Sequence, residues 1–211
     1  MLRGKIVFLS AVDPVRVALS LVVSAFFEKV QMEGAEHIPA AGRVVMAPNH
    51  PFGFLDSTVL LQYFLNHQSL REWAYVGQVN QLHRNLPGWD KGSGMGGRII
   101  ALRHDNGRVT NARDIICSAV DFLRERENPV LFIDPEGPDA YLKSSTAKPH
   151  RGFAAIARQA EAPIVPVLFT GRVNVPELTF TIHGRILPAM EPSNDDQITR
   201  DEWVKRITDM L

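Results

Sequence analysis

The sequence predicts a single α/β domain with a largely parallel, mixed sheet flanked by helices. Two observations support this fold class. Short apolar runs typical of buried strands alternate along the chain with longer segments in which apolar residues recur at helical spacing. The chain has 211 residues, of which 45% are hydrophobic, and this is enough for one domain with a sizeable core. Strands that alternate with helices favour a parallel sheet covered on its faces.

The apolar pattern also places the individual elements. The predicted strands are 43–47, 73–76, 98–102, 130–133, 164–169 and 178–182, the last of them near a sheet edge. The predicted helices are 57–64, 111–126, 152–160 and one that begins at a Thr199-x-x-Glu202 capping box. Ser57 or Thr58 is expected to help cap the first of these helices.

The N-terminal residues 1–29 are predicted to form a separate helical segment. Its core, Val17–Phe27, is apolar apart from two serines but shorter than the roughly 20 residues that span a bilayer. One interpretation is a core helix packed on the domain. The other is an amphipathic, membrane-associated helix that lies in one leaflet, with Arg3, Lys5 and Arg16 near the lipid headgroups. The sequence alone supports the two equally.

Charge and cysteine content exclude several functional classes. The 23 Lys and Arg residues balance the 23 Asp and Glu residues, and no dense basic run occurs, so a nucleic-acid partner is not expected. The single cysteine, Cys117, rules out an intramolecular disulfide and a multi-thiolate metal site. Because it lies in an apolar helical stretch, Cys117 is expected to be buried. Asp134, Glu136 and Asp139 lack complementary ligands in the sequence, so no metal is expected.

The segment APNHPFGFLDS carries the clearest chemical signal. It places His50 just after a predicted strand and Asp56 at the start of a helix, with Pro51 and Gly53 able to turn the chain back between them. Asp56 can then accept a hydrogen bond from one imidazole nitrogen, which leaves the other nitrogen free as a general base. The competing interpretation is that Asp56 only caps a helix and His50 is a loop histidine. The pair alone does not decide between them.

Other candidate motifs are weaker. A hydrolase with a covalent intermediate needs a nucleophile beside the histidine, and no G-x-S-x-G elbow occurs. The run GSGMGG at 92–97 fits G-x-G-x-x-G, but it precedes a predicted strand and opens no helix, so it does not indicate a dinucleotide site. The neighbours His104 and Asp105 are expected to lie in a solvated turn.

Four blocks of the sequence together resemble glycerolipid acyltransferases of the lysophosphatidic acid acyltransferase (PlsC) type. The stretch VQMEGAEHIPAAGRVVMAPNHPFGFLD is similar to the first motif region of that family. GRIIALR (97–103), FIDPEG (132–137) and PIVPV (163–167) are similar to the second, third and fourth motifs, in the family's order. The resemblance covers residues 30 to 187, and four ordered blocks are much more specific than any one of them.

The resemblance implies an acyltransferase domain over residues 30–211, acting in phospholipid or related lipid biosynthesis. The acyl chain would pass from acyl-CoA or acyl carrier protein to the hydroxyl of a lysolipid-like acceptor, with no acyl-enzyme and no other cofactor. The enzyme would work at the membrane surface, on the cytoplasmic face. His50 would be the general base and Asp56 would orient it. The implied substrate-binding residues are Asn49, Gly97, Arg103, Pro135, Glu136 and Gly137, with Arg103 facing a phosphate or another anionic group.

Two departures from the family pattern leave alternatives open. Five residues separate His50 from Asp56, whereas the usual spacing is His-x-x-x-x-Asp. The third motif usually continues Gly-Thr-Arg-Ser, whereas Pro138 and Asp139 follow Gly137 here, so the motif's arginine is missing. Either Lys143, Lys148 or Arg151 substitutes for it, or the acceptor carries less charge than a phosphate. One alternative is therefore a catalytically inactive lipid-binding protein of the same fold. The other is a thioesterase-like hydrolase in which His50 activates water.

Overall fold

The computed structural model describes residues 14–52, 54–67, 71–78, 97–102, 104–105, 108–137, 149–174 and 179–211. In chain order the strands are β1 Phe27–Glu33, β2 Val44–Pro48, β3 Trp73–Gln78, β4 Gly97–Leu102, β5 His104–Asp105, β6 Arg108–Val109, β7 Val130–Ile133, β8 Ile164–Asn174 and β9 Thr179–Ile186. The helices are α1 Pro14–Phe26, α2 Phe54–His67, α3 Ala112–Glu125, α4 Gly152–Ala160 and α5 Asp196–Thr208, with a short 3₁₀ helix at Ala35–His37.

Seven of the strands form one mixed sheet in the order β1-β9-β8-β2-β7-β3-β4. All neighbours in it run parallel except β8 and β9, which are antiparallel. Strands β5 and β6 form a separate two-stranded antiparallel sheet. The predicted single α/β domain with a largely parallel, mixed sheet is thus confirmed.

The central strand β2 has helices on both of its faces. Val45 and Ala47 belong to a core cluster that also contains the buried residues of α3, α4 and α5. Val44 and Met46 belong to a second cluster, with the apolar residues of α2. All five residues of β2 are buried, as is typical of a strand covered on both faces. Because β2 is the central strand, the residues that follow it lie in the middle of the sheet's carboxyl edge.

Two predicted helix starts are wrong. Helix α2 begins at Phe54, so Ser57 and Thr58 lie inside the helix and do not cap it. Helix α5 begins at Asp196, and its cap is Asp195, whose side chain accepts the backbone N–H of Gln197 at 2.8 Å. In both cases a residue type that favours helix caps sits about one turn inside the helix. The Oγ1 of Thr199, for example, instead accepts the backbone N–H of Ser193 at 2.8 Å.

Strand β1 was not predicted from the sequence, and the environment of Cys117 differs from expectation. Strand β1 forms the sheet edge beside β9, so β9 lies one strand in from the edge. The polar and apolar residues of β1 alternate directly after α1, and no turn residue separates the two elements. For this reason the sequence pattern does not indicate a strand there. Cys117 is exposed, not buried. It lies two positions after the buried Ile115, and two residues turn a helix by more than half a revolution.

The N-terminal helix α1 packs on α2 along one side. The Ser20 hydroxyl accepts a hydrogen bond from the Gln62 side chain at 3.0 Å, and Leu19 and Val23 pack against the cluster beneath α2. Leu21 and Phe26 are exposed, at 66% and 46% of their surface. Among the described residues, no helix is both long and apolar enough to cross a membrane.

The packing of α5 on β2 predicts a stability difference between two buried tryptophans. The indole N–H of Trp203 donates to the Ala47 carbonyl at 3.0 Å, whereas the buried indole N–H of Trp73 has no hydrogen-bond partner in the described structure. Both Trp→Phe variants lose similar apolar area, but Trp203→Phe also removes a hydrogen bond, whereas Trp73→Phe removes a buried N–H that has no partner in the described structure. We expect Trp203→Phe to lower the free energy of unfolding by about 1–3 kcal/mol more than Trp73→Phe. Urea unfolding measures this difference, and equal losses would contradict it.

Candidate active site

Asn49 holds the chain at the point where it leaves β2. Its backbone N–H donates to the Val167 carbonyl at 3.0 Å. Its side-chain amide donates to the Phe169 carbonyl at 3.0 Å and accepts the Phe169 N–H at 2.5 Å. The side chain of Asn49 therefore pairs with β8 as a strand residue would, and it fixes where the next residue, His50, begins.

His50 and Asp56 form the hydrogen bond that the sequence predicts. The His50 Nδ1 lies 2.9 Å from the Asp56 Oδ1, and both residues are buried, with 5% and 0% of their surface exposed. The second oxygen of Asp56 accepts the Phe52 N–H at 2.9 Å. The first oxygen also accepts the Ser57 N–H at 2.7 Å. With Nδ1 as donor to Asp56, the other ring nitrogen, Nε2, carries the lone pair that a general base needs.

The lengthened spacing between the two residues does not prevent their pairing. Pro51 and Phe52 form a turn after His50, and α2 begins at Phe54, so Asp56 lies in the first turn of the helix. The hydrogen bond from Phe52 to Asp56 closes this loop. Gly53, which the sequence predicts to help turn the chain, lies outside the described residues.

The loop after β7 brings a second set of predicted residues to His50. The Glu136 carboxylate accepts the backbone N–H of His50 at 2.9 Å. Gly137 has φ of +78°, a conformation that favours glycine, and its N–H donates to the Asp134 carbonyl at 3.1 Å. Pro135 is buried, and its carbonyl accepts the His150 N–H at 2.7 Å. Strands β2 and β7 are parallel neighbours, which is why their two loops meet.

The structure does not bring Gly97 to this edge. Gly97 is the first residue of β4 and is in register with Trp73, the first residue of β3, at the amino edge of the sheet. Its substrate-binding role stays a prediction. Arg103 lies outside the described residues, directly after the last residue of β4. Its role also stays a prediction.

Three residues near the pair were not predicted as part of the site. Tyr75 donates a short hydrogen bond to the Asp134 Oδ2, and this oxygen lies 3.7 Å from the His50 Nδ1. The Ser57 hydroxyl lies 3.1 Å from the Tyr75 hydroxyl, and 3.4 Å from an oxygen of Asp56 and from one of Asp134. The position of Asp134 in the chain could have indicated its role, because it directly follows β7, whose neighbours in the sheet are β2 and β3.

The local charges shift the pKa values of the site. Burial lowers the pKa of His50, but the hydrogen bond to Asp56 and the surrounding negative charges outweigh it and raise the pKa to about 9. Those charges belong to Asp134, Asp56 and Glu136. Burial raises the pKa of Asp134 to about 6 and raises the pKa of Glu136. A general base must be unprotonated, so activity that depends on neutral His50 rises with pH.

The arrangement suits proton transfer. Within the described ranges, no group of three or more His, Cys, Asp or Glu side chains is placed to hold a metal ion. Instead, one ring nitrogen of His50 is hydrogen-bonded to a carboxylate, and the other is able to accept a proton.

The sequence model of the acyltransferase family matches residues 29–170, more than half of the chain, including His50, Asp56 and Glu136. The chain belongs to the acyltransferase family.

The fold of this acyltransferase is also similar to a solved structure. This is the crystal structure of the 1-acyl-sn-glycerophosphate (LPA) acyltransferase PlsC from Thermotoga maritima, with a TM-score of 0.62 and 15% sequence identity. The match covers 94% of this chain and 77% of that chain. At this identity the likeness shows the fold. No protein of curated function matches the sequence.

The anchoring of Asn49 predicts that an isosteric change will damage the acyltransferase. Asn49→Asp replaces the amide that donates to the Phe169 carbonyl with an acceptor, so two oxygens face each other in a buried position. We expect the free energy of unfolding to fall by about 3 kcal/mol or more. Transferase turnover should fall as well, because His50 follows directly. Asn66→Asp, at an exposed position near the end of α2, is the control and should change both little. Urea unfolding that is equal for the two variants would contradict the prediction.

Proposed function

We propose that this acyltransferase moves an acyl chain from acyl-CoA or acyl carrier protein to the hydroxyl of a lysolipid-like acceptor, with His50 as the general base. The observation that carries the proposal is the buried hydrogen bond between His50 and Asp56 at the carboxyl edge of the sheet, in a chain of the acyltransferase family. This hydrogen bond forms although five residues, one more than is usual in the family, separate His50 from Asp56.

The proposed reaction needs no acyl-enzyme. Nε2 of His50 takes the proton of the acceptor hydroxyl as its oxygen attacks the thioester carbonyl. Asp56 holds the ring and stabilises the imidazolium that forms. The tetrahedral intermediate then collapses, the carbon–sulfur bond breaks, and the imidazolium returns its proton to the leaving thiolate. The products are the acylated lipid and the free thiol carrier, and His50 is neutral again.

The acceptor class rests on two supports. The Thermotoga maritima protein of similar fold is an LPA acyltransferase. In this chain the sequence motif around Arg103 offers a guanidinium, which suits a phosphate or another anionic group. Asn49, Pro135, Glu136 and Gly137 are proposed to shape the acceptor side of the site. The third-motif arginine is missing, so Arg103 would be the principal cation for the acceptor.

We also propose that the enzyme works at a membrane surface, on the cytoplasmic face, with α1 as its contact. Leu21 and Phe26 expose apolar surface on a helix whose other side packs on the domain. Side chains of this kind bind the boundary between headgroups and acyl chains, where a lysolipid hydroxyl lies. Association by apolar burial is not screened by salt, and the chain has no net charge to contribute.

The first test of the proposed function is His50→Gln. We expect this change to lower turnover by roughly 10²–10⁴, the usual contribution of a general base. Labelled acyl-CoA and lysolipid acceptors distinguish acylated lipid from free fatty acid and from no product. His67→Gln, at the exposed end of α2, is the matched control and should retain wild-type turnover. Wild-type transfer by His50→Gln would refute the mechanism, and fatty acid as the only wild-type product would show a thioesterase.

The second test concerns the membrane contact. Leu21→Glu combined with Phe26→Glu places charges where the helix is proposed to enter the lipid. Burying one large apolar side chain is worth about 1.5–3 kcal/mol, so vesicle affinity should fall about tenfold or more. Flotation with phospholipid vesicles at low and high salt measures it. Ile198→Glu, at an exposed apolar position on α5, is the control and should bind as the wild type does. Equal binding by all three proteins would remove α1 as the contact.

A further inference from the structure

We propose that Asp134 is a positioning residue for His50, a second carboxylate that Tyr75 and Ser57 hold beside the imidazole so that it stabilises the imidazolium. The inference rests on the proposed role of His50 as general base. It adds a residue that neither the His–Asp spacing nor the sequence motifs assign to proton transfer. Asp56 orients the ring by a direct hydrogen bond, and Asp134 contributes a second charge at the same ring nitrogen.

The distances place both carboxylates at one side of the imidazole. The His50 Nδ1 lies 2.9 Å from an oxygen of Asp56 and 3.7 Å from an oxygen of Asp134. The side chain of Asp134 is only 9% exposed. Its Oδ1 is buried and has no hydrogen-bond partner among the described residues. A buried oxygen without a partner lowers stability, so the position of this carboxylate beside His50 calls for an explanation.

Two hydroxyl groups fix the position of Asp134. The Tyr75 hydroxyl donates to its Oδ2, the oxygen that faces His50. The Ser57 hydroxyl lies within 3.4 Å of that oxygen and of the Asp56 Oδ1, so it stands between the two carboxylates. These hydroxyls come from β3 and α2, while Asp134 follows β7. Three elements thus converge to hold one acidic side chain against the imidazole.

The charges around the ring favour its protonated form. The titratable groups that act on His50 in the described structure are Asp56 from α2, and Asp134 and Glu136 from the loop after β7. Tyr75 from β3 contacts Asp134 and not the imidazole. Burial raises the pKa of Asp134 to about 6, so this side chain is an anion above that pH. The imidazolium of His50 therefore faces the negative charges of Asp56, Asp134 and Glu136 over the range in which it titrates.

The negative charge of Asp134 makes His50 a stronger base, but it also lowers the fraction of molecules in which the His50 ring is neutral. Stabilising the imidazolium helps His50 to take the acceptor's proton, yet it also leaves fewer molecules with a neutral ring at neutral pH. Removing the charge of Asp134 must change both properties in opposite directions. A residue that only packs the site would lower activity by a similar factor at every pH.

The deciding measurement is the titration of His50 in Asp134→Asn. We expect its midpoint, followed by ¹⁵N-histidine NMR on the free full-length chain, to fall by about 1–3 pH units. The spectrum of His50→Gln identifies the His50 signal among the seven histidines. The acidic limb of the pH profile of kcat/KM should likewise move to lower pH. The variant is then at least as active as the wild type near neutral pH and less active on the alkaline plateau.

Tyr75→Phe is the second variant, and it keeps the test decisive if Asp134→Asn does not fold. Without the Tyr75 hydroxyl, the Asp134 carboxylate loses the donor that holds it beside the imidazole, so the His50 midpoint should fall in the same direction by a smaller amount. Tyr63→Phe on α2 and Asp121→Asn on α3 are the matched controls and should leave the midpoint unchanged.

An unchanged midpoint in both site variants overturns the role of Asp134. The NMR titration does not depend on acyl transfer, so it separates this inference from the proposed function. A shifted midpoint in a protein that transfers no acyl group would retain the pairing of Asp134 with His50 and refute the acyltransferase mechanism.

Discussion

The carboxylate of Asp56 has no exposed surface, and its need for hydrogen-bond donors is the constraint on which the rest of the site depends. Burying a carboxylate without partners is very unfavourable, so the loop must supply donors. They come from the His50 ring, the Phe52 N–H and the Ser57 N–H. The first turn of α2, where Asp56 lies, also favours negative charge. The same interactions that satisfy the carboxylate therefore orient His50.

The parallel sheet makes this local arrangement part of a larger site. Strand β2 lies between β7 and β8. The loop after β2, the loop after β7 and the middle of β8 therefore meet beside His50. Strand β8 holds Asn49 through the backbone of Phe169, and the loop after β7 holds the backbone of His50 through Glu136. His50 is thus fixed from both sides of its own strand. Rigid placement of this kind is what proton transfer over one hydrogen-bond length requires.

Three carboxylate side chains lie close to the one histidine of the site. Asp56, Asp134 and Glu136 all approach the imidazole, and together they outweigh the effect of burial on its pKa. The chain also lacks the arginine that the third motif of the resembled family usually carries. Both features lower the positive charge near the acceptor hydroxyl. In the proposed function, the acceptor's anionic group therefore needs a cation that the third motif does not supply, and this is the role proposed for Arg103.

The sequence by itself determined the fold class and most strands of the main sheet, and it offered the pairing of His50 with Asp56 as one of two interpretations. These features are local: apolar periodicity marks buried strands, and two residues on one short loop are able to reach each other. The tertiary structure alone decided that Asp134, Tyr75 and Ser57 converge, because their contacts depend on the order of the strands. Strand β1 and the exposure of Cys117 were hidden for a related reason. An edge strand is only half covered, and one apolar stretch of a helix does not tell which of its residues face the core.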